Sequence, residues 1–227
     1  MRPGRPLRDA PIPGQQGVAE RFSAFMGRRS AHTADELRRL VLDAAEQIIE
    51  NGGLAGLSAR EIARRIGYSP GTLYNLFENL DDVILRVEAR MLGDLDERLA
   101  AALDGSSGED AVRRFARAYL QFSRERPGLW NLLLEHHVPQ SYALPQWYQD
   151  RLQAPIGRLE GALAPIVGTG DGARARRSAR ALWAGLHGVA ALSTTNKVGQ
   201  VMIEATNELA DDLVETYLAG VRGARPS

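Results

Sequence analysis

The chain of 227 residues is 44% hydrophobic and 25% charged with a formal net charge of zero, the balance of a soluble globular protein long enough to bury a core. It has no cysteine, which excludes a disulfide scaffold and cysteine-based zinc or redox chemistry. No apolar run approaches the ~18 residues of a membrane span. The start "MRPGRPLRDAPIPGQQG" has arginines but no apolar segment of a secretory signal, so no membrane partner and a cytoplasmic location are expected.

Zero net charge gives no global argument for nucleic acid. Residues 1–80 carry 11 Arg against 9 Asp plus Glu, an excess of +2, and Lys197 is the sole lysine of the chain. Arginine forks suit phosphate and guanine edges, and a GC-rich genome would enrich arginine as well. Residues 1–30 are rich in Pro, Gly and Arg apart from "VAERFSAFMG" and read as a flexible N-terminal arm.

From Thr33 the pattern turns helical. Thr33 and Glu36 fit a capping box, and Leu37, Leu40, Val41, Ala44 and Ile48 make one apolar stripe that ends at Gly52 and Gly53. Ser58 and Glu61 fit a second box, with Ile62, Ala63 and Ile66 inward and Gly67 closing that helix. Ser69 is a good N-cap ahead of Pro70 at the first helical position, and Leu73, Leu76 and Phe77 form the inner face. Asn79 can cap a long fourth helix with Asp81 and Asp82 in its first turn, striped by Val83, Ile84, Val87, Met91, Leu95 and Leu99.

After "DGSSGED", helices are expected over about 109–125, over "GLWNLLLEH", and over about 145–167, 171–196 and 203–221. Strand signals are absent. The chain therefore reads as all-α with about nine helices: a small three-helix unit within 31–80 and a larger helical body over 81–227.

The stretch "SAREIARRIGYSPGTLYNLF", residues 58–77, has helix-turn-helix spacing. Ala63 is small where two helices cross, Gly67 turns the chain four residues later, and Leu73 packs back after six more. That geometry leaves the second helix free to enter a DNA major groove. Ser69 to Thr72 lie at its N-terminus, where free N–H groups favour phosphate, and Gly71 lets the backbone approach closely. An ordinary helical corner in a core has the same spacing.

"VLDAAEQIIENGGLAGLSAREIARRIGYSPGTLYNLFENLDDVI", residues 41–84 and about a fifth of the chain, resembles the DNA-binding domain of TetR-family transcriptional repressors. "GTLYNLF" after a Gly-x-Ser-x turn is the most specific part. The resemblance implies roles at the matching positions. Ser58 and Ala59 open the second helix beside the phosphate backbone, and Arg60 reaches a base edge, with guanine its natural partner. Pro70, Gly71 and Tyr74 lie toward the bases, and Ser69, Thr72, Tyr74 and Asn75 offer polar groups that set register. Arg28 and Arg29 precede the first helix, where arms of such proteins reach phosphate or the minor groove; Arg64 and Arg65 are either phosphate contacts or a solvated face. Leu76 and Leu80 depart from the commoner pattern, standing where many members carry a His and a Lys that touch phosphate.

"ARALWAGLHGVAAL", residues 179–192, resembles the Trp-x-x-x-His-Gly signature of one TetR-family C-terminal class. The resemblance implies a homodimer through the last two helices, in which Leu209, Leu213 and Tyr217 either meet the second subunit or pack within their own. It also implies a ligand pocket of apolar walls and few polar tips, drawn from Tyr119, Phe122, Trp130, Leu133, Leu134, His137, Trp147, Tyr148, Trp183 and His187 unless these fill the core. Glu135, His136 and His137 are adjacent, point in different directions on a helix and cannot form one chelate, so no metal and no cofactor are expected. No nucleophile elbow, phosphate loop or His-Glu-x-x-His is present.

The expected protein is a homodimeric repressor released from a palindromic double-stranded DNA operator by a small apolar effector. A ligand-independent dimeric regulator is the alternative within the class. A helical enzyme or scaffold is the alternative outside it.

Overall fold

The computed structural model describes residues 32–139, 141–168, 172–194 and 206–223. The arm assigned to residues 1–30, with Arg28 and Arg29, lies outside them. The described residues form nine α-helices and no strand: α1 (Ala34–Gly52), α2 (Ala59–Ile66), α3 (Pro70–Tyr74), α4 (Leu80–Leu103), α5 (Gly108–Glu125), α6 (Pro127–Glu135), α7 (Gln146–Val167), α8 (Gly172–Thr194) and α9 (Thr206–Gly223). A single 3-10 turn, Leu54–Gly56, stands between α1 and α2 and has no counterpart in the sequence reading. No described helix is long and apolar enough to cross a membrane.

The chain divides into two compact units, residues 1–39 and residues 40–227. In the first, the Thr33 backbone N–H donates to Glu36 Oε2 at 2.7 Å and the Glu36 N–H donates to Thr33 Oγ1 at 3.2 Å. Both halves of that capping box are made, and the bonds from Thr33 hold the Glu36 carboxyl below its usual range.

The second unit has α4 as its spine. α4 packs on α5, α6 and α7, α5 on α7 and α8, and α9 on α5, α7 and α8. The expected α4 stripe is buried from Val83 to Leu99. Asn79 caps the helix, its Oδ1 accepting the Asp82 N–H at 2.8 Å. Close approach explains two glycines. A Cβ on Gly185 of α8 would lie 2.9 Å from Leu213 Cδ2 of α9. A Cβ on Gly128, in the first turn of α6, would lie 3.0 Å from the Ile49 carbonyl oxygen and 3.1 Å from Glu50 Cα of α1. Arg126 locks that second contact by pairing with Glu50 and, at 3.3 Å, with Glu46. Arg90 of α4 reaches Asp43 of α1 at 2.7 Å.

Of the three candidate interface residues on α9, Leu213 packs on Gly185 and the Tyr217 hydroxyl donates to the Ser178 carbonyl at 2.9 Å. Both serve the subunit itself. Leu209 remains 38% exposed.

Candidate nucleic-acid interface and ligand cavity

Helix α2 starts at Ser58, whose Oγ accepts the Glu61 N–H at 3.1 Å. The Glu61 carboxylate does not return to Ser58. Arg64 takes it with two bonds of 2.8 Å and Arg65 with one of 2.9 Å, and these bonds, Arg64's first, hold its pKa at about 2. The arginines left open between phosphate and solvent are thus engaged within their own helix. Arg60 is exposed and has no ion-pair partner among the described residues.

Gly67 adopts the left-handed conformation, φ +75°, that a side chain rarely takes. It turns the chain above Ala63, which is buried as the crossing requires. The Ser69 hydroxyl does not cap a backbone N–H; it lies 3.1 Å from the Thr72 hydroxyl. Pro70 at the first helical position and the Thr72 N–H on the Ser69 carbonyl, 3.0 Å, start α3 instead. The helix is also shorter than its inner-face pattern implies. It ends at Tyr74, and the Leu76 and Phe77 N–H groups both turn back to the Leu73 carbonyl at 2.9 Å. With five residues, α3 is too short to build a long helix dipole.

The result is a tip with a fixed base and an open crown. Leu73 and Phe77 are buried beneath it. Ser58, Arg60, Ser69, Pro70, Gly71 and Asn75 are exposed, and Ala59 and Thr72 are half-buried. Tyr74 is 58% exposed, a large aromatic ring held out in solvent. Leu76 and Leu80 are partly buried against the core, so the side chains that replace the commoner phosphate contacts serve packing.

The body holds a cavity of about 220 Å³ walled by α4, α5, α6, α7, α8 and the segment after α6. Tyr119, Trp183 and His187 line it, as do Leu133 and Tyr148. The Tyr119 hydroxyl lies 2.9 Å from His187 Nδ1. Burial pulls the His187 pKa down and pushes that of Tyr119 up, so both groups are neutral and share one hydrogen bond. Trp183 stacks on His187, centroids 5.1 Å apart, which is how the Trp-x-x-x-His spacing is used.

A second polar set was not foreseen. Glu88 of α4 is only 2% exposed. Its Oε2 accepts the Tyr148 hydroxyl at 2.5 Å, and its Oε1 lies 3.2 Å from His136 Nδ1. His136 Nε2 faces Asp81 Oδ1 at 3.3 Å. Burial lowers the His136 pKa, but Glu88 and then Asp81 outweigh it and the net shift is upward. Tyr148 is raised by burial and by the Glu88 charge. The signal lay in the α4 stripe, where an acid stands between Ile84 and Leu92 on the apolar face.

The other expected lining residues lie elsewhere. Phe122 and Trp130 are buried behind the wall; Trp130 meets Tyr119 edge-on at 5.0 Å and Phe122 at 6.3 Å. α6 stops at Glu135, and the extended His136 that follows turns inward while His137 turns out, its Nδ1 2.8 Å from the Glu135 carbonyl. Leu134, on the outer face of α6, is 46% exposed. Trp147 lies at the surface, with the Arg86 guanidinium 5.2 Å from its ring. A helical extrapolation past Glu135 is what reversed the two histidines.

Comparison with known proteins follows the same division. Residues 41–87 match the family model described as bacterial regulatory proteins, tetR family, and residues 112–217 match the tetracyclin repressor-like C-terminal domain. An uncharacterized HTH-type transcriptional regulator of Mycobacterium tuberculosis, Rv0681, is 24% identical over 196 residues, 84% of each chain. A second uncharacterized HTH-type transcriptional regulator, YobS of Bacillus subtilis, is 27% identical over 97 residues, and there the chain spans about half, 51%, of the relative. Among solved structures, FadR of Bacillus subtilis in complex with stearoyl-CoA superposes with a TM-score of 0.61 at 18% identity, covering 80% of this chain and 98% of that one.

Proposed function

Because the chain belongs to the TetR family of bacterial regulatory proteins and is therefore a DNA-binding transcriptional regulator, we propose that it is a homodimeric repressor released from its operator by a small molecule. The observation that carries this reading is the exposed crown of the tip, Tyr74 above all, over a base that Leu73 and Phe77 fix. Residues 31–80 serve as the DNA-binding part and residues 81–227 as the sensing and dimerising part. Ser58, Ala59, Ser69, Thr72 and Asn75 hold phosphates; Arg60, Pro70, Gly71 and Tyr74 face bases; Arg28 and Arg29 extend the grip. Two such tips, paired through α8 and α9, enter successive major grooves of a near-palindromic site roughly 34–36 Å apart. Leu209, a large apolar side chain 38% exposed near the start of α9, supports that pairing. No residue has a catalytic role, and the site of action is the cytoplasm.

The effector site is the cavity, with Tyr119, Trp183 and His187 on its wall. Two connections run from it toward the tip. α4 carries Glu88 in the cavity wall and, at its start, Asp82, whose Oδ2 accepts the Glu78 N–H just after the tip at 3.2 Å. The second is α6, followed directly by His136 and pressed at its first turn onto α1 through Gly128 and Arg126. A ligand that moves Glu88 or His136 displaces both α1 and the tip. By linkage, whatever factor it removes from operator affinity it gains in affinity for the DNA-free form.

Selection of bound DNA from a random pool, repeated with candidate ligands, tests this. The expected product is a palindromic sequence whose retention falls when an effector is added. Retention of that sequence by the protein whatever ligand is present, with none measurably bound, contradicts the effector part.

A further inference from the structure

Glu88 is a charge placed among leucines, and DNA binding makes no use of it. Each of its oxygens already accepts one bond, from Tyr148 at 2.5 Å and from His136 at 3.2 Å, and each keeps a further lone pair. His136 has a carboxylate at each ring nitrogen, Glu88 and, 3.3 Å away, Asp81. Both ring positions are thereby already engaged by protein groups. Asp81, His136 and Glu88 thus set two acids against one imidazole. Neither arginine nor lysine lines the cavity. An anion placed there meets carboxylate charge and no free cationic donor. A cation meets an unused acceptor, and hydrogen bonds to a charged partner are the strong ones.

Size limits the ligand further. The cavity, about 220 Å³, lies below the ~300–1,000 Å³ usual for sites of drug-sized ligands. Apart from the Tyr119–His187 pair, the remaining wall is apolar, with leucines of α4, α6 and α7 and the ring of Trp183.

We propose that this cavity takes a small amphipathic amine, its ammonium donating to Glu88 and its apolar body lying against the leucines of α4 and Trp183. The proposal rests on the reading of the cavity as the effector site and names the effector's class. The ammonium shares Glu88 with His136, which weakens the His136 contact, loosens the segment after α6 and links binding to the tip.

Isothermal titration of the full-length protein with hexylamine, hexanol and hexanoate tests the class with one apolar body and three heads. Hexylamine is expected to bind at least tenfold tighter than hexanol, with hexanoate weakest. Glu88→Gln should bring hexylamine down to the level of hexanol and leave hexanol unchanged. If that variant does not fold, the ranking on the unaltered protein decides. Hexanoate or hexanol binding as tightly as hexylamine, or a folded Glu88→Gln protein with full amine affinity, overturns the amine class and leaves the cavity a ligand site. Absence of binding by all three overturns both the class and the effector role of the cavity, while operator binding is untouched by that result.

Discussion

The tip and the cavity use polar side chains in opposite ways. At the tip, polar groups come from a few consecutive residues and stand largely in solvent, bonded at most to near neighbours, as Ser69 is to Thr72. In the cavity they come from positions far apart in the chain, at 81, 88, 119, 136, 148 and 187, and bond to one another before any ligand arrives. The tip is a local device on a rigid base, and the cavity is a product of tertiary packing. The comparison predicts that substitutions in the crown change binding without changing stability, and that substitutions around the cavity and beneath the crown change both.

The sharpest contrast lies between neighbours. Leu73→Ala empties a buried site between α2 and α3 and should cost about 2–5 kcal/mol of stability, read as a lower melting temperature with operator binding lost. Tyr74→Ala, one residue on, should leave melting within ~0.5 kcal/mol and still abolish specific binding. Arg60→Ala should weaken operator binding by about 1–3 kcal/mol and relax preference at a single base pair, measured by titration of operator variants. Gly128→Ala places a Cβ against backbone of α1, which cannot yield as a side-chain end would. It should lower stability by about 1–3 kcal/mol in thermal melts and weaken operator binding.

The next test is pH dependence. The His136 pKa is raised in the folded protein, so its stabilising contribution is full below its unfolded value near 6.5 and fades as pH rises through the folded value. His136→Gln should therefore lower the melting temperature more at pH 6 than at pH 8. His187 is depressed by burial and opposes this trend in the unaltered protein, since protonation on acidification favours unfolding. The smallest effect is expected at the adjacent residue. His137 is exposed, and His137→Gln should change neither melting nor ligand binding.

The same difference explains what the sequence made legible. Caps at Thr33 and Asn79, the turn at Gly67, and the buried pair Ala63 and Leu73 are local patterns, and each stands as expected. The reciprocal bond expected of Glu61 went instead to Arg64 and Arg65, two charged donors on its own helix that outcompete a neutral backbone N–H. The cavity was legible only in part. Tyr119, Trp183 and His187 are on its wall, but Glu88 sat unread in an apolar stripe. The choice between His136 and His137 depended on where α6 stops, a matter of one residue that periodicity does not fix.

Operator binding by the Tyr74→Ala protein tests the central claim most directly, with fluorescence anisotropy on the selected operator and a thermal melt of the same sample. The account predicts at least a tenfold loss of affinity with an unchanged melt. Undiminished affinity in a folded variant would contradict it, because a crown that DNA does not touch cannot be the reading surface.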